Sequence, residues 1–113
     1  MEMAVLEAGD VTLVALSGRL DIEGVGAVEV KFLAATAAHR RPTIVGLSDV
    51  TFLGSLGIGM LVGSAKSLAR HGARMVLLDP QPLVERTLEA SSVSTVIPIA
   101  HGIEEARALL ATS

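Results

Sequence analysis

The sequence predicts an α/β fold in a single domain, a mixed β-sheet of four to five strands with about four α-helices. Three observations predict it. Short runs of β-branched and aliphatic residues alternate with longer stretches of helical period, the pattern of a partly parallel sheet. The 113 residues suit one unit, 1–113, and exclude separate cofactor and substrate lobes. Hydrophobic residues make up 50% of the chain and charged ones 19%, enough apolar material for a packed core without disulfides or structural zinc.

The elements follow in order. Residues 3–6 form a short strand, and the turn Ala8-Gly9-Asp10 joins it to a second at 11–16, rich in β-branched residues and ended by Ser17-Gly18. Residues 23–39 read as a helix, because Val25, Val28, Phe32 and Ala35 fall on one stripe. Arg40-Arg41-Pro42 stops it, since proline pushes the residue before it out of the helical region. The apolar run 43–47 is a central strand buried on both faces. Residues 48–54 form a loop and 55–71 a second helix, capped by Gly72 and followed by a strand at 73–78. Asp79-Pro80 opens a third helix as N-cap and first helical residue, running to about Ala90. After a polar break at 91–94, residues 96–99 make an edge strand, where Pro98 is tolerated. Residues 102–111 form the last helix, with Ile103, Ala106 and Leu110 inward.

Composition narrows the function. Nine Lys+Arg against twelve Asp+Glu give a net charge of −3, and the aromatics are two Phe, so the chain lacks the basic field and stacking platforms of a nucleic-acid binder. The absence of cysteine excludes thiolate metal sites and thiol nucleophiles. Met1-Glu2-Met3-Ala4 does not begin a secretory signal, and the longest uncharged tract, 50–65, holds four Gly and is too short to span a bilayer. A cytoplasmic location without direct membrane insertion is expected.

Two chemical readings fail on detail. Gly57-Ile58-Gly59-Met60-Leu61-Val62-Gly63 nearly spells a dinucleotide fingerprint, but its spacing is wrong and it does not follow its strand in a tight turn. His39 and His71 fall at helix C-termini and His101 precedes a helix; no two stand at metal-ligand spacing, and no nucleophile elbow occurs. Neither an enzyme nor a cofactor or metal is expected.

The second helix is more informative. At ~100° per residue, Ile58, Leu61, Val62, Ala65, Leu68 and Ala69 form one stripe, which is expected to face the core. Leu56 and Met60 then fall on the opposite side among Gly59, Gly63 and Ser67. Read functionally, a smooth apolar patch bordered by small residues is a docking surface, because small residues admit close approach and Leu and Met adapt to a partner. The alternative is chance exposure, since single exposed Leu residues are ordinary.

At these residues a resemblance enters. Asp49-Val50-Thr51-Phe52-Leu53-Gly54-Ser55-Leu56-Gly57-Ile58-Gly59 resembles the signature of STAS domains, the family of bacterial anti-sigma factor antagonists. Gly18-Arg19-Leu20-Asp21 resembles that family's other marker, a turn leading into the first helix. The resemblance covers nearly the whole chain and implies a STAS-type domain that regulates transcription by docking a protein partner, an anti-sigma factor that is a kinase-like ATPase. It implies partner contacts around Asp21, Thr51, Gly54, Ser55, Leu56, Gly57, Gly59, Met60 and Gly63. In such antagonists the hydroxyl residue just before the glycine is the phospho-acceptor. Here that position is Leu56, so the usual switch cannot operate there. Ser55 is a weak candidate acceptor whose expected role is N-cap of the second helix, and Thr51 a weaker one. The alternative is a structural or regulatory STAS subunit of a transporter or signalling scaffold. A small ligand held near Asp21, Asp49 and Ser55 is a further, uncommon possibility in the family.

Overall fold

The computed structural model describes residues 1–111. The final two residues of the expected 1–113 unit lie outside the described residues. The elements are β1 (Glu2–Ala8), β2 (Val11–Leu20), α1 (Ile22–Ala35), β3 (Thr43–Leu53), α2 (Ser55–Arg70), β4 (Met75–Leu78), α3 (Pro82–Ala90), a 3₁₀ turn (Val93–Thr95), β5 (Ile99–Ala100) and α4 (Ile103–Ala111). Five strands make one mixed sheet in the order β1-β2-β3-β4-β5. β1 runs antiparallel to β2, and every other neighbouring pair is parallel.

The sheet has a core on each face. On one side Val14, Leu16, Val45 and Leu77 pack with Val28 and Phe32 of α1, Leu61 and Leu68 of α2 and Leu88 of α3. On the other, Val11, Ile44 and Val76 pack under Ala106, Leu109 and Leu110 of α4. Alternate residues of one strand feed opposite cores, so a central strand here reads as a continuous apolar run.

Several boundaries differ from the sequence expectation. β2 passes through Ser17-Gly18 and ends at Leu20, because two irregularities absorb the turn-forming residues within the β2–β3 pairing. Gly18 has φ +107°, and a β-carbon there would lie 3.1 Å from the Cα of Met1. β3 likewise runs to Leu53, so most of the expected 48–54 loop is strand: Val50 and Leu53 are buried, and Arg19↔Phe52 and Leu20↔Leu53 continue the pairing. α1 stops at Ala35, where buried Thr36 donates from Oγ1 to the Phe32 carbonyl at 2.7 Å. α3 begins at Pro82 with Gln81 as N-cap, not at Asp79-Pro80. Asp79 instead takes φ +51° and accepts from the Gly102 amide at 2.8 Å, tying β4 to the start of α4. β5 falls at Ile99–Ala100, one step past the expected edge strand, and Ile103 is exposed while Ala106 is buried.

Candidate docking site at the paired helix starts

The parallel β2 and β3 end side by side, and each feeds a helix directly: Asp21 separates β2 from α1, and Gly54 separates β3 from α2. The two helix starts therefore share one end of the sheet. The Gly54 amide donates to the Leu20 carbonyl at 3.0 Å, which locks the second start onto the first.

Asp21 is the N-cap of α1. Its Oδ1 accepts from the Gly24 amide at 2.8 Å and its Oδ2 from Arg19 Nε at 3.2 Å. The Gly24 amide first, with the neighbouring guanidinium adding to it, holds the carboxyl below its usual pKa against a smaller opposing effect of desolvation. The Arg19 guanidinium also lies 4.4 Å from the Phe52 ring centroid, a cation–π contact across the end of the sheet.

The second start is built differently from the sequence expectation. Gly54 is the N-cap of α2 and no side chain caps the helix, so Ser55 is its first residue rather than its cap. The reason is the strand: β3 continues to Leu53, leaving Gly54 alone in the extended backbone that an N-cap needs. Ser55 and Leu56 are both exposed. Thr51 lies on β3, and its hydroxyl donates weakly to the Gly18 carbonyl at 3.4 Å.

The helical phase of α2 is also corrected. The buried arc is Gly57, Met60, Leu61, Ser64, Ala65 and Leu68, rotated about 75° from the expected stripe at ~100° per residue. Met60 is 5% exposed and belongs to the core, so neither it nor Gly57 is a surface residue of the site. Ala69 is exposed, and Ile58 and Val62 are partly buried. The rotation follows from close packing. A β-carbon on Gly57 would lie 2.8 Å from Leu53 Cδ1 and 2.9 Å from Leu20 Cβ, so the glycine rests on the strand ends. Leu56, Gly59 and Gly63 do form an outward strip, and β-carbons on the two glycines would meet open space.

Between the two starts lies a hollow of about 390 Å³, lined by Arg19, Asp21, Ile22, Phe52, Gly54, Ser55 and Leu56. Its apolar rim is exposed: Ile22 at 76%, Leu56 at 51% and Phe52 at 40%. Leu83 of α3 is 70% exposed and borders an adjoining hollow with Thr51 and Phe52, extending the patch. Arg19 and Phe52 stand inside the two motifs without an expected role of their own, and Ile22 and Leu83 lie outside them. Ile22 carried a signal, since it falls outside the Val25–Val28–Phe32 stripe of its own helix. The exposure of Leu83 depends on where α3 begins, which the Asp79-Pro80 reading misplaced.

The histidines lie elsewhere. His39 Nε2 bonds to Glu7 at 2.6 Å in the turn beyond α1, His71 is the C-cap of α2, and His101 Nε2 bonds to Glu85 at 2.9 Å. Among the described residues, no group of three or more His, Cys, Asp or Glu side chains could hold a metal ion, and no helix is long and apolar enough to cross a membrane.

A mixed sheet whose parallel strands deliver two helix starts to one exposed apolar end defines an α/β module with a candidate docking face. The family model for the STAS domain matches residues 2–106, and the chain belongs to the STAS domain family. It is 31% identical over 90 residues to the anti-sigma F factor antagonist of Paenibacillus polymyxa, covering 79% of this chain and 77% of that one. The crystal structure of an anti-sigma factor antagonist from Mycobacterium paratuberculosis has a TM-score of 0.87 at 22% identity, covering 98% of this chain and 94% of that one. The murine solute carrier 26 family member A9 anion transporter contains a similar region: TM-score 0.75 at 18% identity, covering 93% of this chain and 18% of the transporter. The chain has an anti-sigma factor antagonist-like STAS fold.

Proposed function

We propose that this chain is a protein-interaction regulator of antagonist type, docking a kinase-like anti-sigma factor through the start of α2, and that phosphate on residue 56 is not its switch. The observation that carries the reading is Leu56: it stands at the position the family uses as phospho-acceptor, has no hydroxyl, and is 51% exposed at the rim of an apolar hollow. A Leu beside Ile22 and Phe52 adds apolar area where the family's docking surface lies, which favours a permanently competent dock over a phosphate-gated one. The module then acts in the bacterial cytoplasm, on transcription, through its partner.

Ser55 is the hydroxyl nearest the family's position, and it is exposed on a helix start whose amides no side chain caps. A phosphate there would bring about two negative charges to the rim. Incubation with a cognate kinase and ATP, followed by mass spectrometry, is expected to leave Ser55 and Thr51 unmodified; stoichiometric phosphate on Ser55 would sink the phosphate-independent reading.

A second reading, a STAS subunit of a transporter or scaffold, draws on the likeness to the solute carrier's region and on the missing acceptor. Affinity capture from the source cell separates the two, comparing wild type with Leu56→Asp. Recovery of a histidine-kinase-like ATPase by wild type alone supports the antagonist reading. Recovery of membrane-transport subunits transfers the domain to the second.

A further inference from the structure

β1 stands at one end of the strand order, so among the described residues one side of its backbone has no strand beside it. At the other end β5 is two residues long, whereas β1 runs for seven. Sheet edges of this length are usually blunted by charged side chains, Lys above all, by Pro or by a bulge. The middle of β1, Met3-Ala4-Val5-Leu6, has none of these, and its register with β2 is unbroken. The strand's two charges sit near its ends, and Glu7 is engaged within its own chain, by His39 Nε2 at 2.6 Å and Arg41 at 3.5 Å. Val5 and Leu6 are exposed large hydrophobics.

We infer that this edge takes a second copy of the chain, with the two β1 strands pairing antiparallel about a two-fold axis at Val5. The two sheets of five strands then become one of ten. The register supplies the argument. A two-fold axis perpendicular to the sheet keeps each side chain on its own face, so partners across it must share a face. Ala4 and Leu6 pair with Ala15 and Leu13 and lie on the α4 side, while Val5 pairs with Val14 of the opposite core. Centring on Val5 sets Val5 against Val5 and, twice over, Ala4 against Leu6 of the second copy, small against large. Glu2 then faces Ala8 and Met3 faces Glu7, so no two carboxylates oppose each other. A foreign strand would have to bring this complement, whereas a second copy carries it by symmetry.

The helix above the edge leaves room. Ala27 of α1 lines a hollow with Met1 and Gly18 at the start of β1. Glu23 and Lys31 stand one turn before and one turn after Ala27 on the same helix face, with Ala34 beyond, so the flank is small at its centre and carries one charge of each sign beside it. The contact is small beside a standard interface, so the dimer is expected in the micromolar range. Because the two sheets run antiparallel about the axis, their docking ends point in opposite directions, giving a bivalent particle.

Sedimentation velocity of the full chain from about 1 to about 1,000 µM tests this, with Val5→Lys and Val5→Glu alone and mixed. Wild type is expected to dimerise with rising concentration. Each variant, placing like charges opposite each other at the axis, is expected to weaken association about tenfold. An equimolar mixture is expected to restore the dimer. A wild type monomeric throughout, a dimer indifferent to charge at Val5, or a mixture without rescue each overturns the proposal. Should circular dichroism show that a variant does not fold, hydrogen exchange of wild type decides. β1 amides protected only at high concentration support the pairing, and concentration-independent exchange overturns it.

Discussion

Gly57 lies against Leu20 with no room for a side chain: a β-carbon there would come within 2.9 Å of the Leu20 Cβ and 3.1 Å of its carbonyl oxygen. That carbonyl also accepts from the Gly54 amide at 3.0 Å, so one residue at the end of β2 receives both the cap and the first turn of α2. Exchanging Gly57 for Ala gains about 1 kcal/mol in helix propensity but forces α2 off the strand ends, an overpacking cost of about 1–3 kcal/mol. Gly57→Ala is therefore expected to destabilise the domain by about 1 kcal/mol and lower the Tm by about 5 °C. An unchanged or raised Tm would show that α2 does not rest where the geometry puts it.

The phase of α2 makes an opposed pair of expectations. Leu56→Asp charges an exposed position at a helix start, where the dipole favours a carboxylate, and should change stability by less than about 0.5 kcal/mol. Met60→Ala opens a cavity in the core and should cost about 2–5 kcal/mol. Chemical denaturation of both variants checks this. A severe loss for Leu56→Asp beside a mild one for Met60→Ala would restore the phase read from sequence.

The order and kind of the elements were legible in the sequence because the β-branched runs and the Val25–Val28–Phe32 stripe report burial directly. Asp21, Gly54 and Leu56 of the candidate site were legible only through the resemblance of their two motifs, because the expected strands stop at 16 and 47, short of the helix starts. What was lost is where small residues do the packing. Gly57 and Ser64 occupy the buried arc of α2, and a reading that follows large apolar side chains gives them no weight. Ser17-Gly18 and Ser48-Asp49 look like turns because their composition is that of turns. Only pairing with a neighbouring strand, a long-range fact, keeps β2 and β3 extended through them. Asp79 likewise reads as the cap of the helix after it, while its carboxylate serves the amide of Gly102.

Ser64 supplies a test of that buried arc. Its hydroxyl is fully buried on α2 and has no hydrogen-bond partner among the described residues. A buried polar atom without a partner costs desolvation that nothing repays, and Ala is also the better helix former. Ser64→Ala is expected to stabilise the domain by about 1 kcal/mol, read as a higher denaturation midpoint with an unchanged slope. A loss of stability would mean that the hydroxyl is satisfied in solution by a group the geometry does not place there.

His101 ties the end of the sheet to α3. Its Nε2 lies 2.9 Å and 3.1 Å from the two Glu85 oxygens, with Glu105 and Asp79 also nearby. The bond to Glu85 first, then the charge of Glu85, raises the imidazole above its ordinary value of 6.5; a smaller desolvation effect opposes this, and the charges of Glu105 and Asp79 add to the rise. A raised folded pKa means that the folded state holds the proton more tightly. The contribution is thus fully present below the unfolded value and is lost as pH rises through the folded one. Two measurements follow. By NMR the His101 ring should titrate above 6.5, and Glu85→Gln should bring it down toward that value. The Tm of wild type should fall more than that of Glu85→Gln as pH rises from 6.5 through the raised value of the histidine. Parallel Tm curves for the two proteins would remove the pair from the stability of this end of the fold.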